Sequence, residues 1–379
     1  MLFQLSEEQI MIQQAARDFA QTDLKPGVIE RDEHQKFPAE QVKKLGELGF
    51  LGMMVSEKYD GSGLDTMSYV LVMEELSKID ASASVVVSVN NSLVCYGLEA
   101  YGTEFQKEKY LKPLASGQVI GAFCLSEPEA GSDATSQQTT AEDKGDYYLL
   151  NGTKNWITNG GTASTYLVIA QTDRSLNHKG INAFIVEKGM EGFTVGPKEN
   201  KLGIRGSDTH SLMFNDVKVP KENRIGENGF GFKFAMKTLE GGRIGIAAQA
   251  LGIAAGAYEL ALNYSKQRKS FGKAIYEHQA ISFKLADMAT SIEAARMLVY
   301  KAAWLKDQGQ SYTLAGSMAK LYASKVAMDV TIEAVQIHGG YGFVKEYHVE
   351  RLMRDAKITQ IYEGTSEIQK LVISREILR

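Results

Sequence analysis

The sequence predicts an α+β protein of several domains: a helical N-terminal domain, a middle antiparallel β-barrel domain and a C-terminal four-helix bundle. Three observations predict it. Apolar residues recur at helical spacing up to about residue 120. Between about 121 and 220 the period falls to two. No proline follows Pro220, and long segments of helical period fill the rest of the chain. The boundaries this sets are 1–120, 121–226 and 227–379.

The N-terminal block reads as a helix over Glu7–Ala20, a segment opened by Pro38 (PAEQVKKLGELGF) and a helix over Met67–Ile79, with Tyr69, Val72, Met73 and Leu76 on one face. Pro113 precedes the change of pattern. In the middle block GAFCLS, DYYLLNGTKNWIT, STYLVIAQT, GINAFIVEK, GFTVG and HSLMFNDVKV are strand-like runs, rich in β-branched and aromatic residues. Turn signals such as DKGD and NG separate them. A small antiparallel barrel or sandwich fits that spacing. The last block is expected to hold helices over Gly231–Arg268, His278–Gln308 and Leu314–Ile337, and a terminal helix from about Ser366.

Bulk properties exclude several functions. With 379 residues and 42 basic against 46 acidic side chains, the net charge is −4. That balance offers no electrostatic case for nucleic acid or an anionic membrane surface. No apolar run is expected to be long enough to span a membrane. The N-terminal MLFQLSEEQIM lacks the pattern of a signal or transit peptide, so a cytoplasmic protein is expected. Cys95 and Cys124 lie in apolar stretches without CxxC spacing and read as buried, reduced thiols. The six histidines have no metal-ligand spacing. GxGxxG, GxxxxGK[ST] and GxSxG are absent, and GENGFGF (226–232) reads as an interdomain turn.

Four stretches carry possible chemistry, each with an ordinary alternative. FCLSEPEAGSD (123–133) ends a strand at Leu125 and enters a turn built on Pro128 and Gly131. It is either a plain hairpin turn, or a surface of N–H groups with the Ser126 and Ser132 hydroxyls that can hold a planar ring edge or phosphate. Trp156, with Ile157 and Thr158, is either a core residue or a flat wall with a hydroxyl beside it. RKSFG (268–272), with Gln279 downstream, is either a solvated helix end or a pyrophosphate clamp. The glycines of AVQIHGGYGF (334–343) cap a helix and also permit close approach of a ligand; His338 reads as structural.

Together, in this order, these stretches resemble the acyl-CoA dehydrogenase flavoprotein family through essentially the whole chain. The likeness is to the short-chain (butyryl-CoA) branch, through KLGIRGSDT, GGRIGIAAQALGIA, SFKLADMA and IYEGTSEIQKLVI. The resemblance implies FAD as cofactor, an acyl-CoA substrate, electron-transfer flavoprotein as electron acceptor, and a homo-oligomer of two or four chains. It implies FAD contacts from Phe123, Leu125, Ser126 and Ser132, from Trp156, Ile157 and Thr158, and from Thr365 and Glu367. Arg268, Phe271, Gln279, Gln336, Gly339 and Gly340 match residues at the diphosphate and adenosine end, some reaching across from a neighbouring subunit. Ser132, Glu240, Arg243, Tyr362 and Gly364 match positions around the acyl-CoA.

Glu363, within QIYEGTSEIQ (360–369), matches the base that removes the α-proton while the β-hydride passes to FAD N5, giving a trans-2-enoyl-CoA. The bland reading of this stretch is a helix capped by Ser366, with Gln369 closing a capping box and Glu363 one more acid at a helix N-terminus. Some branches of the family place their base before the arginine of an LxxxR motif. Here that motif is LEGGR (239–243) and the position holds Gly242, which leaves Glu363 alone in the role. Gly241 and Gly242 leave room for medium or branched acyl groups, and a non-catalytic scaffold of this fold is the reading from another class.

Overall fold

In the computed structural model, which describes residues 4–379, the N-terminal helices are α1 (Glu7–Phe19), α2 (Val28–Glu33), α3 (Ala39–Glu47), α4 (Thr66–Ser77), α5 (Ala81–Ser88), α6 (Tyr96–Tyr101), α7 (Glu104–Gln106) and α8 (Lys112–Ala115). Met1–Phe3, on which the reading of MLFQLSEEQIM partly rests, lie outside the described residues. Ser6 caps α1 through a capping box with Gln9. Asp65 caps α4 and Asp80 caps α5 through their side chains. A π-helical segment, Val89–Cys95, joins α5 to α6.

Helix α4 departs from the single apolar face expected of it. Every residue from Thr66 to Ser77 is buried, because α1, α9 and α10 surround it. Its two buried acids are paired: Glu75 with Arg17 at 2.9 Å and Glu74 with Arg296 at 2.9 Å. Arginine forks of this kind make a buried carboxylate tolerable.

The middle region is one eight-stranded sheet of β1 (Gly121–Cys124), β2 (Thr140–Asp143), β3 (Tyr147–Thr158), β4 (Thr165–Gln171), β5 (Ile181–Glu187), β6 (Phe193–Lys198), β7 (Thr209–Pro220) and β8 (Arg224–Ile225). The order is β6-β7-β3-β2-β4-β5-β8, with β1 on β4. The expected all-antiparallel arrangement is corrected to a mixed one. β1 runs parallel to β4, Gly121 facing Thr165, and β2 meets β4 in parallel at Thr140–Gln171. Parallel pairs need long connections, which local turn signals do not reveal. β2 and β8 are too short and polar to read from period two.

β4 is buried at every position because both sheet faces are covered. Tyr166, Val168 and Ala170 face a core with Tyr148, Phe184 and Phe214, whereas Leu167 and Ile169 pack with Leu93, Leu98 and Phe234 from the helices. Cys95 and Cys124 are buried free thiols in these two cores.

The C-terminal region holds α9 (Gly231–Gln267), a two-residue hairpin of β9 (Lys269–Ser270) and β10 (Lys273–Ala274), then α10 (Gln279–Asp307), α11 (Thr313–His338), α12 (His348–Ile358) and α13 (Ser366–Ile377). Four of these follow the expected segments. α12 was not expected: five of its residues are charged, Val349, Leu352, Ala356 and the partly buried Ile358 supply its apolar face, and Arg351 and Asp355 pair inside it at 2.7 Å. Two helical stretches, Ala81–Tyr101 and Gly231–Gln267, do have the length and mean hydropathy of a membrane-crossing segment, against the expectation. Their apolar windows are 94% and 83% buried in protein.

Candidate functional site

The turn between α12 and α13 carries Glu363. Gly364 has φ +94° and Glu363 itself φ +53°, a conformation that a residue with a side chain holds only when its surroundings impose it. Two side chains fix it. Gln369 donates from Nε2 to the carbonyls of Gly364 (2.9 Å) and Glu363 (3.3 Å), and Lys320 donates from Nζ to the Gly364 carbonyl at 2.6 Å.

The capping expectation is therefore corrected. Thr365, not Ser366, is the cap of α13, its hydroxyl accepting from the Ile368 N–H; Ser366 begins the helix and sends its N–H to Gln360. Gln369 closes no capping box, because the left-handed pair before the helix turns two carbonyls toward its amide. Glu367 is exposed in the first turn of α13.

The Glu363 carboxylate points into the protein. Its Oε2 is out of contact with solvent and has no hydrogen-bond partner among the described residues. Burial raises its pKa to about 7, with the charges of Lys320 and Arg243 opposing the rise. Gly242 lies directly beneath it: a Cβ there would stand 2.2 Å from Oε2 and 2.8 Å from Leu93 Cδ2. The position that could have carried another base is thus the space the Glu363 carboxylate fills, so the room expected at Gly242 for a larger acyl group is taken, whereas Gly241 has only Lys306 Nζ near it at 3.8 Å. The Glu363 N–H donates to no acceptor among the described residues.

Other residues converge here. Tyr362, next to the base, bonds through its hydroxyl to Gln249 Oε1, and Gln249 Nε2 donates to the Ala81 carbonyl at 3.0 Å and to Ser84 at 3.1 Å. This chain of bonds ties the turn to α5. Arg243 is buried, donates to Ser317 at 3.4 Å, and has its Nε unpartnered. Glu240 pairs with Lys237 at 3.1 Å, and its charge also acts on Arg243.

A second group lies at the ends of β1 and β3. Phe123 and Leu125 pack on the same core cluster as Leu93 and Tyr362, which brings this end of the sheet toward the Glu363 turn. Trp156 is 57% exposed, sits at a bulge in β3 and has φ +59°. It is an exposed tryptophan, not a core one. Ile157 points the other way, into the sheet core, so its side chain does not share that exposed side. The hydroxyls of Ser126, Ser132 and Thr158 have no partner among the described residues, and a Cβ on Gly131 would meet nothing. An open tryptophan face with unpaired hydroxyls and a roomy turn fits the edge of a large planar ring.

Beneath that turn is an anchor not recognised in the sequence. Lys154, 0% exposed, donates to Glu127 Oε1 at 2.7 Å, to the Leu125 carbonyl at 3.0 Å and to Gln137 at 3.2 Å. Glu127 also accepts the N–H groups of Gln138 and Thr139.

The third group lies elsewhere. Arg268 ends α9 and stacks 5.6 Å over Tyr341, beside Gly339 (φ +61°) and Gly340. Phe271 is 93% exposed, and Gln279 and Gln336 are exposed too. A helix of 37 residues is about 55 Å long, and the start of α9 is the part that packs on the sheet. The Arg268 group stands at the opposite end of α9 from the end that packs on the sheet.

Sequence reasoning missed Gln249, Leu93, Lys320 and Gln369 as parts of the site. Gln249 and Lys320 sit in apolar helical patterns, where a single polar residue in the buried face was the available signal.

Matches with known proteins bear on this arrangement. Residues 6–118, 122–217 and 229–378 match, in turn, the N-terminal, middle and C-terminal domains described for acyl-CoA dehydrogenases. A protein of Clostridium acetobutylicum named acyl-CoA dehydrogenase, short-chain specific, is 54% identical over 377 residues, with all of both chains covered. The structure of butyryl-CoA dehydrogenase from Megasphaera elsdenii superposes with a TM-score of 0.98 at 53% identity, covering 100% of each chain. A chain from a study of the electron transferring flavoprotein of Acidaminococcus fermentans, directed at flavin-based electron bifurcation, gives 0.99 at 54%, again covering all of both.

Proposed function

This chain belongs to the acyl-CoA dehydrogenase family, and from that premise we propose that it dehydrogenates a short, butyryl-like acyl-CoA to the trans-2-enoyl-CoA with Glu363 as the base. It is an oxidoreductase that uses FAD. The observation that carries the assignment of the base is the buried, unpartnered Glu363 Oε2 above Gly242. Among the described residues, the position beneath it holds Gly242 and offers no second acid.

When bound, FAD supplies the hydride acceptor, its N5. Trp156, Ser126, Ser132 and Thr158 would hold its ring system, Phe123 and Leu125 lining the approach. Glu363 removes the α-proton through its side chain. Its own free N–H is available to the thioester oxygen, so one residue aligns donor and base on the same substrate. Tyr362 and Arg243 flank the acyl end. Burial keeps the carboxyl basic enough for proton transfer near neutrality.

The Arg268 group would meet the far end of the cofactor held by a neighbouring copy. The separation along α9 supports the homo-oligomer. The likeness to a chain studied with an electron transferring flavoprotein supports such a protein as electron acceptor. The three regions, 1–120, 121–226 and 227–379, are then domains that meet around one site.

Gly242→Ala tests the space under the base. The added methyl displaces the carboxylate, and a misplacement of about 1 Å costs about 10²-fold in rate. The expected result is that fall in kcat with unchanged FAD content; a rate within threefold of the parent contradicts the crowding.

Acidity gives a second test. The limiting rate of flavin reduction should rise with pH and level off above about 7, where Glu363 is ionised. Stability runs the other way. A carboxyl raised in the folded state contributes stability that is full below its unfolded value of about 4.3 and is lost as pH rises through about 7. Thermal unfolding of the parent should therefore fall relative to Glu363→Gln between pH 5 and pH 8. Parallel curves would contradict the raised acidity constant.

A further inference from the structure

Lys320 is a buried lysine that the mechanism above does not use. It is 0% exposed on α11, and its only hydrogen-bond partner among the described residues is the Gly364 carbonyl, at 2.6 Å. No carboxylate stands within salt-bridge distance of it among the described residues. A neutral donor would also satisfy that carbonyl, without a buried charge. Burying an ammonium is costly unless an opposite charge shares the site. Glu363 is such a charge, and its Oε2 in turn lacks a partner. The charged groups acting on the lysine are Glu363, Arg243 from α9 and the exposed Glu367. Ser317, one turn before Lys320 on the same helix, holds Arg243. Two cations from two helices thus act on one carboxylate, and the Glu240 carboxylate acts on Arg243 as well.

We propose that Lys320 is a positioning residue for the base, pinning the strained Glu363–Gly364 turn through the Gly364 carbonyl and supplying part of the positive field at the Glu363 carboxylate. The two contributions are separable because Gln369 grips the same carbonyl without charge. Burial pushes the Lys320 ammonium down to about 8 while Glu363 opposes the fall, which agrees with mutual dependence of the two charges.

The inference rests on Glu363 being the base, and the test keeps the two apart. Flavin reduction by saturating butyryl-CoA is followed in the stopped flow across pH for the FAD-loaded parent, Lys320→Met, Lys320→Arg, Gln369→Ala and Glu363→Gln. The midpoint of the Lys320→Met profile should move up by about one pH unit, as loss of a nearby opposite charge requires. Lys320→Arg should keep the parent midpoint. Gln369→Ala should lower the rate at every pH and leave the midpoint in place. A Lys320→Met midpoint coincident with the parent overturns the proposal. If Lys320→Met does not accumulate as folded protein, the double variant with Glu363→Gln decides. Recovery of folded, FAD-containing double variant is expected, since the uncompensated carboxylate is gone, and failure to recover overturns the charge coupling. Undiminished reduction by Glu363→Gln alone would instead strike at the base assignment, leaving Lys320 without its object.

Discussion

Glu363→Gln should bind FAD and butyryl-CoA as the parent does and reduce its flavin slower by about 10² to 10⁴, the range a positioned base supplies. The substitution is nearly isosteric. It keeps the backbone N–H that the thioester oxygen would use, and it keeps the carbonyls that Lys320 and Gln369 hold. What is lost is proton acceptance, and with it the negative charge that faces Lys320 and Arg243. Gly242 sharpens this expectation, since that space has no side chain to take over. Stopped-flow reduction under anaerobic conditions reads the effect. A variant that reduces its flavin within tenfold of the parent, with normal binding, removes Glu363 from the role.

Lys154→Met is the second large effect, and it acts on stability first. Removing one partner of a buried ion pair costs about 3–5 kcal/mol, because the other charge is left uncompensated. Here the stranded group is Glu127, 1% exposed, which also organises the N–H groups of Gln138 and Thr139. Burial works against both charges. Lys154, its amide donors and the direct hydrogen bond nevertheless carry the Glu127 carboxyl below its ordinary value. Without the lysine the turn from Ser126 to Gln138 loses its floor, and with it the Ser126 and Ser132 hydroxyls. Urea unfolding should show the loss, and the purified variant should be depleted of FAD. The double variant Lys154→Met, Glu127→Leu should be less destabilised than Lys154→Met alone. A single variant with parental stability and full FAD would contradict this account of the turn.

Much of the architecture was legible because period and proline placement are local signals. The long helices after Pro220 stand within a residue or two of where their apolar spacing put them. What was not legible depends on distant partners. The parallel pairing of β1 with β4 joins residues more than forty positions apart. α12 hides its helical character behind a buried Arg351–Asp355 pair, which reads as surface charge. The burial of all faces of α4 follows from three neighbouring helices, not from its own pattern.

The candidate site divides in the same way. Glu363, Trp156 and the glycines were readable as motifs. Ile157 was read with Trp156, yet in a strand adjacent side chains point to opposite faces, and Ile157 belongs to the core. Gln369 was read as a capping residue because the left-handed conformation at Glu363 and Gly364 is invisible in sequence. Lys320 and Gln249 acquire meaning only through the turn they hold.

The most direct measurement is an anaerobic titration of the FAD-loaded protein with saturated acyl-CoAs of increasing chain length, following the flavin absorbance. Bleaching that is most complete and fastest with butyryl-CoA, and that releases the trans-2-enoyl product, is the predicted result. A flavin that no saturated acyl-CoA bleaches would contradict the account.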